Sequence, residues 1–464
     1  MGDSAPATKP PGDRRISGRA TKVFHRAPRM ELPRAVAGEG VYILDAEGKR
    51  YLDASGGAAV SCLGHSHQAT VRAIQTQITS LPFAHTGFFT NEPMEELAAI
   101  LTDAAPGDLR KAYFVSGGSE GVEAALKLAR QYAIEKGEPQ RTRIVSRRQS
   151  YHGNTLGALS AGGNMSRRAP FEPLLMPVRH IAPCYAYRDR RNGETEHEYG
   201  MRVADELESA IEESGPETVL CFIAETVSGA TLGCVPPVPG YFARIREICD
   251  QRGVLLILDE VMCGMGRTGT LFACEQESIA PDILVVAKGL GAGYQPIGAA
   301  LVSDRIFETI VAGSGYFQHG HTYMGHTVAC AAAVAVQKAI RDEDLLANVR
   351  CRGADLASAL GGRFGNDEHV GDIRGRGLFM AIELVRDRAT KEPFDPALNL
   401  ASRIKYRALE NGLVCYPMGG VIDGRRGDHV MLAPPYIVER HHIGEMVDKL
   451  DATIGSVLHE IDAA

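Results

Sequence analysis

Short apolar runs alternate with helical stripes between about residues 65 and 335, and this alternation dominates the pattern of the chain. The runs read AYFV, RIVSR, LCFIAE, VLLILD, ILVVAK and GAALVS, and each has the length of one buried strand. Strands separated by helical segments predict a doubly wound, mostly parallel sheet of the α/β class. The polar run at 187–202 predicts an exposed loop within this region.

The two flanks of this region have a different pattern. Residues 25–60 read as short strands with turn signals, which predicts a small lobe that contains β-structure. After an alanine-rich helix at 328–340, the chain mixes helices and strands in a C-terminal lobe. Residues 1–20 are rich in Pro, Gly, Lys and Arg, so we expect a disordered N-terminal arm there.

Two of the apolar runs end in reactive side chains. Lys288 follows Ile283–Val286, and Asp259 follows five apolar residues at 254–258. Ligands collect outside the carboxyl ends of strands in open α/β sheets, so both side chains are expected in one crevice. Burial lowers a lysine pKa and favours the amine that attacks aldehydes, and pyridoxal phosphate needs such a lysine together with a carboxylate for its ring nitrogen. Taken singly, Lys288 could mark a solvated strand end and Asp259 a turn or helix cap.

A third run ends in small residues. FVSGGSEGVEAALKLAR (114–130) predicts a strand, a turn that contains Gly118 and Ser119, and a helix whose N-terminus could hold a phosphate. An ordinary serine cap would give the same pattern. Tyr151 and His152 in SYHGNT add a loop aromatic that could cover a planar cofactor, although most loop tyrosines are surface anchors.

The ordered motifs SGGSE, YHGNT, AETVSGA, LDEVMCGMGRTG, AKGLGAGYQPIGA, HGHTYMGH and LAPPYI resemble those of the class III aminotransferases, which are pyridoxal-phosphate enzymes of fold type I. The resemblance covers the chain from about residue 25 to the end and is nearest the amine–pyruvate and ω-amino acid–pyruvate branch. It implies a small domain built from both chain ends. We therefore divide the chain into an arm (1–20), a first small-domain part (21–64), a large cofactor-binding domain (65–340) and a second small-domain part (341–464).

The resemblance also implies roles for individual residues. Lys288 would form the Schiff base with pyridoxal phosphate and move the proton, and Asp259 would hold the ring nitrogen. Thr322 would reach the phosphate of the neighbouring subunit in a homodimer with shared active sites, and a tetramer stays open. Glu225 would lie near the cofactor or neutralise an arginine. The implied cofactor-binding set is Gly118, Ser119, Tyr151, His152, Glu225, Asp259, Val261, Lys288 and Thr322, with Val261 and Tyr151 on opposite ring faces.

The implied reaction is transamination from a primary amine or ω-amino acid to a keto acid such as pyruvate. The chain has no tryptophan, and Ala59 stands where many amine–pyruvate relatives carry one, so we expect a wider pocket that accepts bulky or long amines. Phe88 is expected to contact the substrate. Arg425 is the predicted carboxylate-binding arginine, although Arg425 and Arg426 could equally be solvated loop charges.

Two other classes of enzyme stay open. A dialkylglycine decarboxylase, an amino-acid epimerase or an aminomutase would share the same cofactor residues. A nicotinamide-dependent dehydrogenase is suggested by Gly264, Gly266 and Gly269, but no long helix opens at the third glycine, and acidic residues stand before the motif.

The amino-acid composition is that expected of a soluble enzyme. The 464 residues are 44% hydrophobic and 23% charged, and the net charge of −7 argues against a nucleic-acid binder. The ten cysteines show no C-x-x-C pair, and the histidine pairs lack partners at metal spacing, so we expect free thiols and no metal site. No apolar stretch has the length of a membrane span or a secretory signal, which predicts a cytoplasmic protein without a membrane segment.

Overall fold

The computed structural model describes residues 16–17 and 21–463. Its strands are β1 (Ile16–Ser17), β2 (Glu31–Leu32), β3 (Ala35–Glu39), β4 (Tyr42–Asp45), β5 (Arg50–Asp53), β6 (Leu109–Val115), β7 (Arg143–Arg147), β8 (Val178–Ile181), β9 (Val219–Glu225), β10 (Leu255–Asp259), β11 (Ile283–Val286), β12 (Gly298–Ser303), β13 (Val370–Arg376), β14 (Phe379–Leu384), β15 (Leu413–Val414), β16 (Tyr416–Gly419) and β17 (Asp428–Leu432). Its α-helices are α1 (Gly56–Ala59), α2 (Gln68–Ser80), α3 (Glu92–Ala104), α4 (Gly118–Glu135), α5 (Leu156–Ala161), α6 (Met165–Arg168), α7 (Ala186–Asp189), α8 (Glu196–Ser214), α9 (Tyr241–Arg252), α10 (Asp304–Ala312), α11 (Thr327–Asp342), α12 (Leu345–Phe364), α13 (Leu400–Glu410) and α14 (Arg440–Asp462).

A seven-stranded sheet forms the centre of the large domain, in the order β6-β12-β11-β10-β9-β7-β8. Strand β12 pairs antiparallel with β6 and β11, and all other pairs of this sheet are parallel, so the predicted mostly parallel α/β sheet is confirmed. Every residue of β9, β10 and β11 is buried. This burial on both faces explains why these strands read as continuous apolar runs.

Alternate residues of the central strands pack into two different cores. Leu256 and Leu258 join the core beneath α3, α8, α9 and α11, whereas Leu255 and Ile257 face α4, α5 and α10. Helices therefore cover both faces of the sheet, as a doubly wound fold requires. The carboxyl edge of the sheet is left open between these two layers of helices.

Register places acidic residues of neighbouring strands side by side at that edge. Glu225 at the end of β9 lies opposite Asp259 at the end of β10, and Asp259 lies opposite Val285 of β11. Lys288 follows Val285 by three residues and therefore leaves the sheet at the same edge. The parallel pairing of β9, β10 and β11 is what brings these three side chains to one place.

Two smaller four-stranded sheets accompany the central sheet. One has the order β13-β14-β17-β16, and the other has the order β15-β5-β4-β3. In the second sheet, Leu413 and Val414 pair in parallel with Leu52 and Asp53, so strands from both ends of the chain share one sheet. A third apolar core lies beneath these sheets with α12, α13 and α14. The domain boundaries at residues 64 and 340 stay a prediction.

The prediction of a loop over the whole of residues 187–202 was wrong at both ends, because residues 187–189 belong to α7 and α8 begins at Glu196. Thr195 caps this helix by accepting the backbone N–H of Glu198, and the Glu198 side chain accepts the N–H of Thr195 in return. This reciprocal capping stabilises a helix start in a polar segment. The predicted arm at 1–20 lies outside the described residues, except for β1, which pairs with β2. Within the described part of the chain, no helix has the length and apolar character to cross a membrane.

Candidate active site

A cavity of about 570 Å³ opens at the carboxyl edge of the central sheet. Its wall is formed by loops that follow β6, β7, β9, β10 and β11, together with residues near the chain's first helix and β16. Most of the predicted cofactor-binding residues line it: Gly118, Ser119, Tyr151, His152, Glu225, Asp259, Val261 and Lys288. The structure therefore brings together residues that are up to 170 positions apart in the chain.

Lys288 lies in this cavity with an unusual backbone and an unusual environment. Its φ is 46°, in the left-handed region that residues other than glycine rarely adopt, and such strain is common where a side chain has a functional orientation. Burial lowers the pKa of its ammonium to about 8, while the charge of Asp259 acts in the opposite direction. The neutral amine is therefore accessible near physiological pH.

Asp259 is held by two donors at the floor of the cavity. Its Oδ2 lies 2.8 Å from Nδ1 of His152, and its Oδ1 accepts the backbone N–H of Val261 at 3.0 Å. The side chains of Asp259 and His152 are buried, and the other ring nitrogen of His152 lies 3.4 Å from Oγ of Ser146. Contacts at both carboxylate oxygens therefore fix the orientation of the Asp259 side chain.

The turn before α4 has the shape of a phosphate cradle. A Cβ on Gly118 would lie 2.8 Å from Cγ1 of Val261, so this position requires glycine for steric reasons. Gly117 caps α4 without a side-chain bond, and Oγ of Ser119 instead accepts the N–H of Asn154 at 3.1 Å. The 18-residue helix α4 thus directs its first free N–H groups and a serine hydroxyl at the cavity wall, an arrangement that suits an anion.

Glu225 joins the loop of Tyr151 to a buried arginine. Its Oε1 accepts the backbone N–H of Tyr151 at 3.2 Å, and its Oε2 lies 3.5 Å from Arg147. Arg147 also donates to the backbone carbonyl of Glu225 at 2.5 Å. Burial raises the pKa of Glu225, and the charges of His152 and Arg147 oppose that rise. Glu225 therefore lines the cavity itself and fixes the backbone of Tyr151 beside it.

Ala59 is placed differently from the expectation. It is 2% exposed and packs in an apolar cluster with Val227 and Phe379, whereas its neighbours Ala58 and Val60 line the cavity. The cause is the backbone of α1, where Gly57 and Ala58 leave helical geometry and Ala59 has a φ of 63°. The expectation that Ala59 forms the pocket wall was wrong: the residues on either side of it, Ala58 and Val60, form the wall instead.

Three other predicted site residues do not line the cavity of the single chain. Phe88 is 82% exposed, and Thr322 is also exposed. Arg425 is exposed as well, and its backbone N–H is bonded to Oδ1 of Asp423. Arg425 therefore lies outside the cavity lining, contrary to the prediction that it faces the substrate.

Two arginines that the sequence patterns did not single out line the cavity instead. Arg167 of α6 is half-buried, with its guanidinium carbon 4.6 Å from the centre of the Tyr151 ring, and Arg26 is exposed. Neither arginine belongs to a motif or to a periodic pattern of apolar residues, so no signal in the sequence pointed to them. The third glycine of the G-x-G-x-x-G pattern lies in a turn and opens no helix, which removes the support for a dinucleotide site.

Taken together, these features of the cavity fit the cofactor pyridoxal phosphate. A desolvated lysine, a carboxylate with two donors and a glycine–serine turn at a helix N-terminus surround one cavity. They provide the amine, the counter-charge for a pyridinium nitrogen and the phosphate site that this cofactor requires.

Comparisons with known proteins agree with this fit. The family model for class-III aminotransferases matches residues 26–454. An uncharacterized aminotransferase of Schizosaccharomyces pombe is 46% identical over 441 residues, which cover 94% of this chain and 95% of the relative. The crystal structure of an (S)-enantioselective omega-transaminase from Thermomicrobium roseum superposes with a TM-score of 0.87 at 38% identity and covers 94% of this chain and 95% of that one. The omega transaminase of Pseudomonas jessenii, solved in complex with PMP, gives a TM-score of 0.88 at 32% identity over 95% of this chain and 96% of its own. The chain therefore belongs to the class III aminotransferases, pyridoxal-phosphate-dependent enzymes of fold type I.

Proposed function

We propose that this aminotransferase moves an amino group from a primary amine or an ω-amino acid to a keto acid such as pyruvate. The observation that carries the proposal is Lys288, a lysine with a pKa of about 8 in a cavity that also contains Asp259. Such a lysine can act both as a nucleophile and as a general acid–base near neutral pH.

Each residue of the cavity has a distinct part in this proposal. Lys288 would hold the cofactor covalently through its Nζ, and the same amine would carry the proton to and from the substrate carbon. Asp259, supported by His152, would balance the charge of a protonated ring nitrogen, and the turn at Gly118 and Ser119 would hold the phosphate. When bound, pyridoxal phosphate supplies a ring that accepts the electrons of the substrate carbon.

The substrate side of the cavity supports a wide pocket. The cavity lining has small residues at Ala58, Val60, Gly229 and Ala230, beside the larger side chains of Met262 and Tyr416. We therefore infer that the donor is a bulky or long amine, even though the wall is formed by the neighbours of Ala59. A panel of amines tests this inference: long or branched amines should react faster than β-alanine or 4-aminobutyrate, and the reverse order would contradict it.

The surface around Phe88 and Thr322 supports a homodimer with shared active sites. Exposed aromatic side chains are concentrated there, and Phe83 packs against Tyr323 at a centroid distance of 5.8 Å. A contiguous exposed aromatic surface is typical of a subunit interface. A second subunit on this surface would cover Phe88 and could bring its own Thr322 to the phosphate turn.

Formation of alanine tests the reaction class. The purified enzyme, incubated with an amine and pyruvate, should produce alanine in an amount equal to the amine consumed, because each amino group is transferred once. Omission of pyruvate should stop consumption after one turnover of the bound cofactor. Continued consumption of the amine without pyruvate would indicate a decarboxylase, an epimerase or an aminomutase instead.

We expect the rate at which the cofactor-free protein captures pyridoxal phosphate to rise with pH and to level off above about pH 8. Burial lowers the pKa of Lys288 to about 8, and only its neutral amine attacks the aldehyde. Below that pKa the neutral fraction, and with it the rate, falls about tenfold for each unit of pH. Stopped-flow absorbance measures the rate. The matched control is lysine acetylated at its α-nitrogen, whose free side-chain amine has a pKa of about 10.4. An inflection of the protein's rate at the pKa of that control would contradict the lowered pKa.

A further inference from the structure

The proposed reaction leaves two arginines of the cavity lining unused, the exposed Arg26 and the half-buried Arg167. Arg167 is the better placed of the two. It lines the same wall as Tyr151 and Lys288, and its guanidinium stacks over the Tyr151 ring at 4.6 Å. Among the described residues no carboxylate forms an ion pair with it, whereas the acidic residues of the cavity already have partners in His152 and Arg147. Arg167 is therefore a cation without an anion, at the edge of the space that a substrate would occupy.

The short helix α6 holds this guanidinium in place. The N-cap residue Asn164 accepts the backbone N–H of Arg167 at 3.1 Å. The next residue, Arg168, is buried and donates to the carbonyls of Leu159, Ser160 and Gly162 at 3.1, 2.5 and 2.8 Å. Because Arg168 ties the helix to α5, Arg167 is presented from a fixed turn, and its planar fork loses less freedom on binding.

The loop that carries Arg425 packs beside this helix without filling its position. A Cβ on Gly424 would lie 3.4 Å from Cβ of Met165 and from the backbone N of Ser166, and the φ of Gly424 is +83°. The loop is held outward by Asp423, which accepts the N–H groups of Arg425 and Arg426 and pairs with the Arg426 side chain at 2.8 Å. Of the two segments in contact, only α6 directs an arginine into the cavity.

We propose that Arg167 binds the carboxylate of the keto acid and thereby determines which acceptors the enzyme uses. This proposal rests on the proposed transamination and deepens it. A guanidinium stacked on an aromatic ring presents its N–H groups in one plane, which matches the two oxygens of a carboxylate. The charge of Arg167 also contributes to the lowered pKa of Lys288, so the two groups are close enough to interact. A 2-keto acid, whose carboxylate adjoins its carbonyl carbon, fits such an arrangement.

Arg167→Gln tests the assignment with two acceptors that differ in charge. Pyruvate has the carboxylate, and propanal is a small carbonyl compound without one. We expect kcat/KM for pyruvate to fall about 10- to 100-fold, mainly through KM, because a hydrogen-bonded charge pair is lost. Turnover of propanal should stay within about twofold. Arg167→Lys keeps the positive charge but loses the planar guanidinium. Its kcat/KM for pyruvate should lie between those of the wild type and Arg167→Gln.

The control is Arg179→Gln, because Arg179 is an exposed arginine of β8 that pairs with Glu213 and lies outside the cavity lining. Binding gives a readout that does not depend on turnover: 2-methylpropanoate, an unreactive carboxylate, should perturb the visible absorbance of the wild-type holoenzyme at lower concentration than of Arg167→Gln. Its uncharged amide should not distinguish the two proteins.

Three results would overturn the assignment of Arg167. Equal losses with pyruvate and propanal would give Arg167 a general role in the fold or the cofactor site. An unchanged KM for pyruvate would remove it from the carboxylate site. A loss of activity specific to pyruvate in Arg425→Gln, but not in Arg167→Gln, would assign the binding of the carboxylate to Arg425. In each case wild-type transamination of pyruvate would still stand, whereas its absence from the wild type would contradict the proposed function itself.

Discussion

Replacement of Lys288 by alanine is expected to lower the rate of transamination by about 10⁴-fold, because one side chain both holds the cofactor and transfers the proton. Burial lowers the pKa of this lysine to about 8, which suits both tasks. Steady-state formation of alanine from pyruvate measures the effect. Because the loss is chemical, a small amine such as methylamine in the assay should restore part of the rate.

A matched substitution and a stability measurement keep this result interpretable. Lys405, an exposed lysine of α13, is the control, and Lys405→Ala should retain wild-type activity. The cofactor-free Lys288→Ala protein should unfold at a temperature no lower than the wild type, since it no longer buries an ammonium group. Activity of Lys288→Ala near that of the wild type would remove Lys288 from the mechanism.

Asp259→Asn should lower kcat by about 10³-fold while the cofactor still binds. Asparagine has nearly the same shape and can still accept the N–H of Val261, which is 3.0 Å from Oδ1 of Asp259. It cannot balance the positive charge of a protonated ring nitrogen, so the ring becomes a poorer electron acceptor. Single-turnover reaction of the loaded enzyme with an amine measures this step without interference from pyruvate.

Asp423→Asn is the control for a general effect of losing an aspartate, because Asp423 belongs to the outward loop. The effect of Asp259→Asn can also be measured through the pKa of Lys288. The charge of Asp259 raises the pKa of that lysine, so Asp259→Asn should move the pH profile of cofactor capture to lower pH. A variant with more than about a third of the wild-type kcat would be incompatible with the role given to Asp259.

The central sheet and the cofactor site were predictable because burial and register leave clear traces in the sequence. The strands that carry Asp259 and Lys288 are buried on both faces, and this gives continuous apolar runs that stop where the chemistry begins. Parallel pairing then brings the ends of β9, β10 and β11 to one edge. Pattern and topology together identify the edge without knowledge of any distance.

The substrate wall was harder to predict because irregular backbone forms it. At Ala59 a left-handed turn reverses which side chains face the cavity, and a regular strand or helix period does not describe such a turn. Arg167 lies on a helix of four residues, too short for a hydrophobic period. The start of α8 is different, since Thr195 and Glu198 have the spacing of a capping box that could have been recognised in the sequence.

Chemical trapping of the cofactor identifies the lysine to which it is bound. The holoenzyme is reduced with borohydride, which converts a Schiff base into a stable secondary amine, then digested and mapped by mass spectrometry. We expect one pyridoxyl-phosphate adduct, on the peptide that contains Lys288, and none in Lys288→Ala. An adduct on a different lysine, or a loaded and active enzyme without any adduct at Lys288, would contradict it.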